Sequence, residues 1–248
     1  MGPKIVRSRQ KKPPRILLYG VEGIGKTTFA ANAPKPIFIP TEDGLSSVEV
    51  DHFPLVEELD DVFGYLSHLI DEAHDYETVV IDSLDWLERI IHDYVCRENH
   101  VTSIERVDGG YGRGYVAALV HWRRIIHFLQ RLRDERDMAV ILIAHAKIER
   151  YEDPETMAYD RYSPRLHKSS CALVTEWCDA VFFANWKYAI RSEQGQFGKT
   201  RGVAVSTPCQ DRVMRVSGGP TCIAKNRYGL VGELPLSWQA FADRVYGR

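Results

Sequence analysis

Only five cysteines occur among the 248 residues: Cys96, Cys171, Cys178, Cys209 and Cys222. The number is odd and no two stand in C-x-x-C spacing. Neither a disulfide frame nor a zinc site is expected, and the thiols read as reduced. No apolar run exceeds about six residues, far short of the roughly twenty that span a bilayer. The basic N-terminus has no apolar stretch behind it, so no secretory signal is expected. Pro3 and Val6 break the N-myristoylation pattern. Internal repeats and low-complexity tracts are also missing. Net charge is only −2, from 32 Lys and Arg against 34 Asp and Glu. The chain as a whole therefore exerts no strong pull on nucleic acid or membrane.

What is present fits one α/β domain. At 44% hydrophobic and 27% charged residues, the chain is neither disordered nor collagen-like, and its length can bury a full core. Charge is unevenly spread. Residues 1–35 hold eight Lys or Arg and one acid, residues 41–77 hold twelve acids and no Lys or Arg, and residues 181–248 hold ten Lys or Arg against four acids. A polyanion would be repelled by the middle block and tolerated by the others. Residues 1–14 read as a flexible basic arm, either solvated or touching phosphates, ahead of a single domain over 15–248.

Strand and helix signals alternate along that domain. Short apolar strands are expected at Arg15–Tyr19, Pro36–Pro40, Thr78–Ile81 and Met138–Ala144. Helical periodicity marks Val56–His74, Leu84–Val95 and Val116–Arg136. Asn99–Gly114 and Lys147–Lys168 read as loops, the second polar and mostly irregular. Ala180–Ile190 and Gly202–Ser206 read as strands about a turn at Gly195–Gly198, with Val213–Val216 as a further strand and Trp238–Tyr246 as a closing helix. Alternation of this kind predicts a mostly parallel sheet flanked by helices. The crowded late strands predict an antiparallel C-terminal extension.

The strongest local signal is Gly20-Val21-Glu22-Gly23-Ile24-Gly25-Lys26-Thr27, followed by Thr28. This is G-x-x-x-x-G-K-[ST] between a strand and a helix, a phosphate-binding loop. Its glycines let main-chain N–H groups curl around a phosphate. Lys26 supplies charge to the β- and γ-phosphates, and the Thr27 hydroxyl suits Mg²⁺. Asp82, ending Thr78-Val79-Val80-Ile81, is a second candidate for the Mg²⁺ shell, and it is also placed to cap the next helix. Ser83 stands where many ATPases carry a water-activating glutamate. Glu42, just after Ile37-Phe38-Ile39-Pro40, is the candidate for that role. His145 ends the apolar strand Val140–Ala144 and is placed to meet the γ-phosphate if that strand is central.

These residues resemble the RecA-type ATPases, which implies a RecA-like P-loop core with Glu42 catalytic and His145 as γ-phosphate sensor. The segment Ala224-Lys225-Asn226-Arg227-Tyr228-Gly229-Leu230 is similar to the K-N-R-[FY]-G motif of RadA-like proteins. There a Lys-x-Arg pair reaches the neighbouring subunit's nucleotide, so the resemblance implies that Lys225 and Arg227 act in trans within a homo-oligomer. From about Arg15 to Tyr246 the chain resembles compact phage-encoded RecA/RadA-like proteins of the Sak-four type. That resemblance implies ATP and Mg²⁺ as cofactors and single-stranded DNA as ligand. It also implies an annealing or recombination role beside a single-strand-binding protein, in a bacterial or phage-infected cytoplasm and away from membranes. By position, the DNA-facing candidates are Arg106, Tyr111 and Arg113 in the first loop. The second loop offers Arg150, Arg161, Tyr162, Arg165, His167 and Lys168, a mixture of cations and rings suited to single strands. Glu152, Asp153, Glu155 and Asp160 in the second loop oppose this. Two other readings stay open: a P-loop small-molecule or nucleotide kinase, with Lys147–Lys168 as its lid, and a module that binds ATP without appreciable turnover.

Overall fold

The computed structural model describes residues 12–46, 48–194, 200–206 and 211–247. Most of the expected basic arm, the turn at Gly195–Gly198 and Cys209 lie outside the described residues. In chain order the elements are β1 (Arg15–Gly20), α1 (Lys26–Ala31), β2 (Pro36–Pro40), β3 (Asp51–His52), α2 (Leu59–Asp71), β4 (Thr78–Asp82), α3 (Leu84–Glu98), α4 (Arg113–Glu135), β5 (Ala139–Tyr151), β6 (Tyr159–Pro164), α5 (Lys168–Trp177), β7 (Ala180–Trp186), β8 (Tyr188–Gln194), β9 (Thr200–Ser206), β10 (Arg212–Arg215), β11 (Lys225–Asn226), β12 (Glu233–Pro235) and α6 (Trp238–Tyr246).

The main sheet runs β12-β10-β7-β1-β5-β4-β2-β3. From β7 to β3 every neighbouring pair is parallel. β10, β11 and β12 add antiparallel pairings at the β7 side. This is the expected architecture, including its antiparallel C-terminal extension. The inner strands are apolar on both faces because both faces are covered. On one side, Leu66, Trp122, Leu129 and Leu132 of α2 and α4 pack on Leu17, Val79, Val140 and Leu142. On the other, Phe29 of α1 and Trp238 and Phe241 of α6 pack on Ile16, Leu18, Ile141 and Phe182. The α4 stripe of Trp122, Ile125, Leu129 and Leu132 follows the three-to-four spacing that faces a helix to a core.

Besides the short strands β3 and β12, which the sequence does not predict, three elements differ from the sequence reading. Lys147–Lys168 is not irregular: β5 continues through Tyr151 and pairs antiparallel with β6 from Ala146↔Pro164 to Tyr151↔Tyr159. Polar composition hides this hairpin, which is held by cross-strand pairs. Arg161 bonds Glu149 at 3.0 Å, and the Tyr151 and Tyr159 rings meet at 5.5 Å. Helix α5 was not expected. Its start is fixed from outside, where the buried Glu88 carboxylate accepts from the His167 N–H at 2.7 Å and from the Ser170 hydroxyl. The strand read over Ala180–Ile190 is broken at Lys187, whose N–H donates to Asp211 O at 2.8 Å. The segment after the break pairs with β9 in a separate two-stranded sheet.

At the N-terminal edge of β1 and β7, Asp179 gathers three guanidinium groups. Arg15 donates to both of its carboxylate oxygens, at 2.6 and 3.1 Å. Arg133 reaches it at 3.1 Å and Arg227 at 3.6 Å. Burial alone would raise the Asp179 pKa, but the Arg15 hydrogen bonds and charge, with that of Arg133, outweigh it and hold the carboxyl below its ordinary value. A carboxyl depressed in the fold stabilises above its unfolded value of about 4. That contribution is lost as pH falls through the lower folded value. Asp179→Ala leaves the mostly buried Arg15 and Arg133 without their anion, an expected loss of about 3 kcal/mol. Urea unfolding at neutral pH measures it, and the gap between variant and wild type should shrink below about pH 4.

Candidate functional site

The Gly20–Thr27 loop leaves the C-terminal end of β1, between β5 and β7, and turns into α1. Two close approaches shape it. A Cβ on Gly20 would run into the Ala184 carbonyl of β7, and one on Gly25 would stand 2.7 Å from the Arg212 guanidinium. Gly25 also has φ +104°, a conformation that side chains disfavour. Lys26 is buried, and its ammonium donates to the Val21 and Gly20 carbonyls of its own loop at 3.0 and 3.3 Å. Desolvation lowers its pKa, against the pull of Asp82, Asp85 and Glu42.

Strand pairing delivers the other groups to this end of the sheet. β4 pairs with β5 in register Asp82↔Ile143, and β1 with β5 in register Gly20↔His145. Asp82 and His145 thus flank the loop on its β5 side. Together with Lys26, Thr27, Thr28, Glu42 and Arg212 they line an open cleft of about 390 Å³. The Thr27 hydroxyl donates to Asp82 Oδ2 at 2.8 Å. Burial raises the Asp82 pKa, against the Thr27 hydrogen bond and the charge of Lys26. Two hard oxygens side by side at the cleft wall suit Mg²⁺, with nucleotide phosphates and water completing its shell. No cluster of three or more His, Cys, Asp or Glu that could hold a metal occurs among the described residues, so an ion here depends on those outside ligands.

Glu42 Oε1 stands 4.0 Å from His145 Nδ1. Asp85, in the first turn of α3, accepts from the His145 main-chain N–H at 3.0 Å and lies 3.0 and 3.1 Å from Nδ1. Burial works against ionised Asp85, but its hydrogen bonds with His145 lower its pKa overall. Glu22, on the outer rim of the loop, is paired with Arg165 at 3.0 Å. Hydrogen bonding to Arg165 lowers the Glu22 pKa.

The structure sorts the remaining sequence candidates. Lys225 and Arg227 do not meet the cleft of their own chain. β11 pairs with Val181 and Ala180 at the start of β7, whereas the phosphate loop lies level with Ala184. Lys225 instead donates to Glu176 O at 3.2 Å, and Arg227 leans on Asp179 with most of its side chain exposed. Arg161 is engaged by Glu149 and sits over the Tyr151 ring. Tyr162 stacks on Phe183 at 4.6 Å and is part of the core rather than an open platform. Arg165 belongs to the phosphate-loop rim, not to the hairpin tip. Tyr111 is fully exposed, and Arg113 opens α4. Tyr115 and His167 stack at 3.8 Å and 2°, which brings the start of α4 beside Lys168 at the start of α5.

Two groups escaped the sequence reading. Asp85 carried little signal: it follows Leu84 but stands off the Leu84, Leu87, Ile91 stripe of α3, and is buried by its place at the helix start. Arg212 carried none, because only the antiparallel β10–β7 pairing brings it to a loop nearly two hundred residues earlier.

Residues 12–228 match the AAA domain family. The chain belongs to that family. Its phosphate loop stands where that family's nucleotide-binding core needs it. Over 172 residues it is 26% identical to the SPbeta prophage-derived uncharacterized protein YorG of Bacillus subtilis (strain 168), a match covering 68% of this chain and 49% of that protein. The chain therefore spans about half the length of this curated relative. The crystal structure of the RadB recombinase is similar over 92% of this chain and 90% of that one, with 12% identity and a TM-score of 0.48. No helix among the described residues is long and apolar enough to cross a membrane.

Proposed function

We propose that this ATPase is a RecA/RadA-related, single-stranded-DNA-binding protein of the phage recombination or annealing type. It would hydrolyse ATP at the subunit contacts of a homo-oligomer, as one domain over 15–248. The observation that carries this reading is the distance between the K-N-R-Y-G segment and the cleft. A phosphate held by Gly20–Thr28 is about a strand length, roughly 13 Å, from β11 of the same chain. The exposed Arg227 with Lys225 beside it can serve a triphosphate only in a neighbouring molecule. A head-to-tail contact of this kind builds a ring or a filament.

In the assembled site the loop N–H groups and Lys26 hold the phosphates, and Arg227 and Lys225 of the neighbour neutralise charge that grows in the transition state. Thr27 and Asp82 would hold Mg²⁺, which would supply positive charge against the phosphates. Glu42 orients the attacking water. His145 meets the γ-phosphate edge, and β5 runs on from it into the hairpin. Arg165, near the base of that hairpin, touches the phosphate loop through Glu22. A change at the γ-phosphate thereby has a short covalent route to the hairpin.

For DNA, the favoured surface is where the starts of α4 and α5 adjoin. Arg106, Arg113 and Lys168 offer cations there, and Tyr111 a free ring. Arg161, Tyr162 and Arg165 are held by side-chain partners and are left out, whereas Arg113 bonds only a main-chain carbonyl, Asp108 O at 2.9 Å. Base stacking on an aromatic ring contributes about 1–3 kcal/mol. Tyr111→Ala should therefore weaken a labelled single-stranded oligonucleotide by about tenfold in fluorescence anisotropy, and Arg106→Ala with Arg113→Ala should flatten the salt dependence. Binding that none of these substitutions changes would remove this surface from the reading. ATP turnover as a monomer, indifferent to DNA, would favour a kinase.

A further inference from the structure

The Asp85 contact bears on what His145 can do. Asp85 lies on α3, with a side chain only 2% exposed. Its Oδ1 accepts the His145 main-chain N–H at 3.0 Å and lies 3.1 Å from Nδ1, while Oδ2 lies 3.0 Å from Nδ1. An ionised carboxylate only accepts hydrogen bonds, so the ring nitrogen facing it must carry a hydrogen. The neutral ring then has its lone pair on Nε2. Among the described residues no hydrogen bond reaches Nε2, and His145 borders the same cleft as Lys26 and Glu42. The main-chain bond matters as well, since it ties β5 at His145 to α3 and holds the carboxylate against the ring.

We propose that Asp85 is a positioning residue. It locks His145 as the Nδ1–H tautomer and leaves Nε2 as an acceptor for a hydrogen of the attacking water, while Glu42 approaches the ring on its Nδ1 side, at 4.0 Å. This rests on the ATPase reading above and deepens it: His145 would sense the γ-phosphate through the water that both of them hold. Base, orienting acid and nucleophile then follow the same logic as other carboxylate–histidine pairs.

Asp85→Asn separates tautomer from packing. The amide oxygen can keep the main-chain bond from His145, while the amide nitrogen takes the place of Oδ2. An N–H donor facing Nδ1 forces the ring hydrogen to Nε2, which removes the acceptor at nearly constant shape. The expected result is a fall in kcat of about 10²-fold or more with the KM for ATP within about threefold of wild type. ¹⁵N-histidine NMR of the nucleotide-free protein at about pH 8, where an ordinary histidine is neutral, should show Nδ1–H in the wild type and Nε2–H in the variant. Wild-type turnover by Asp85→Asn would overturn the proposal, as would an Nε2–H ring in the wild type. The NMR of the unmodified chain decides even if the variant does not fold or the protein hydrolyses nothing. Failure of the ATPase reading would instead appear as Lys26→Ala binding ATP like wild type, whatever the tautomer.

Discussion

Lys26→Ala loses ATP binding by about 10–10²-fold or more while the fold survives. The size follows from the one ammonium that the phosphate loop supplies. Hydrogen bonds to a charged partner contribute about 1.5–3 kcal/mol each, and 1.4 kcal/mol is tenfold in affinity. Removing it also makes the cleft more negative. Asp82, Glu42 and Asp85 remain, opposed mainly by Arg212, so a triphosphate meets net negative charge. The fold should not suffer, and the sign can be worked out. Desolvation lowers the Lys26 pKa, so the folded chain holds this proton less tightly than the unfolded chain. Such a lysine subtracts from stability below its unfolded value of about 10.4, with the deficit relieved as pH rises through the folded value. A melting temperature at or above wild type, beside lost ATP binding in calorimetry, is the expected pair of results. Unchanged affinity would refute the phosphate role of Lys26.

The second large effect is in trans. Arg227→Ala should keep ATP affinity close to wild type and lose about 10³-fold in turnover, the scale on which an arginine supplied to a transferring phosphoryl group acts. Asp179 still has Arg15 and Arg133, so the substitution should cost little stability. Mixing Arg227→Ala with Lys26→Ala, each nearly inactive alone, should restore activity. In a random equal mixture of head-to-tail contacts, about one interface in four joins an intact phosphate loop to an intact Arg227. Activity near that fraction supports action across the contact. A mixture as inactive as its parts would place Arg227 outside the catalytic site.

The parts of this account legible in the sequence share one property: the signal is local. The phosphate loop is one contiguous motif. β2 (Pro36–Pro40) and α6 (Trp238–Tyr246) stand where apolar pattern and proline put them. Asp82 could be assigned to a strand end because Thr78–Ile81 stops abruptly, and His145 to the end of the apolar run Val140–Ala144, although β5 itself runs on to Tyr151. What could not be read depends on contacts between distant segments. The hairpin of β5 and β6 is polar residue by residue and gains order from Glu149–Arg161 and Tyr151–Tyr159. Tyr162 looks like a free aromatic in a polar stretch until Phe183 covers it. Arg165 looks like a DNA contact until it is found on Glu22. Arg212 reaches the phosphate loop only through strand pairing.

The central claim is that the working ATPase is an assembly with DNA as its ligand. Steady-state ATP hydrolysis over a range of protein concentrations, with and without a short single-stranded oligonucleotide, tests it most directly. The account predicts that activity per subunit rises with concentration as contacts form, and rises further when DNA is added. Activity per subunit that is the same at every concentration and unmoved by DNA would contradict it.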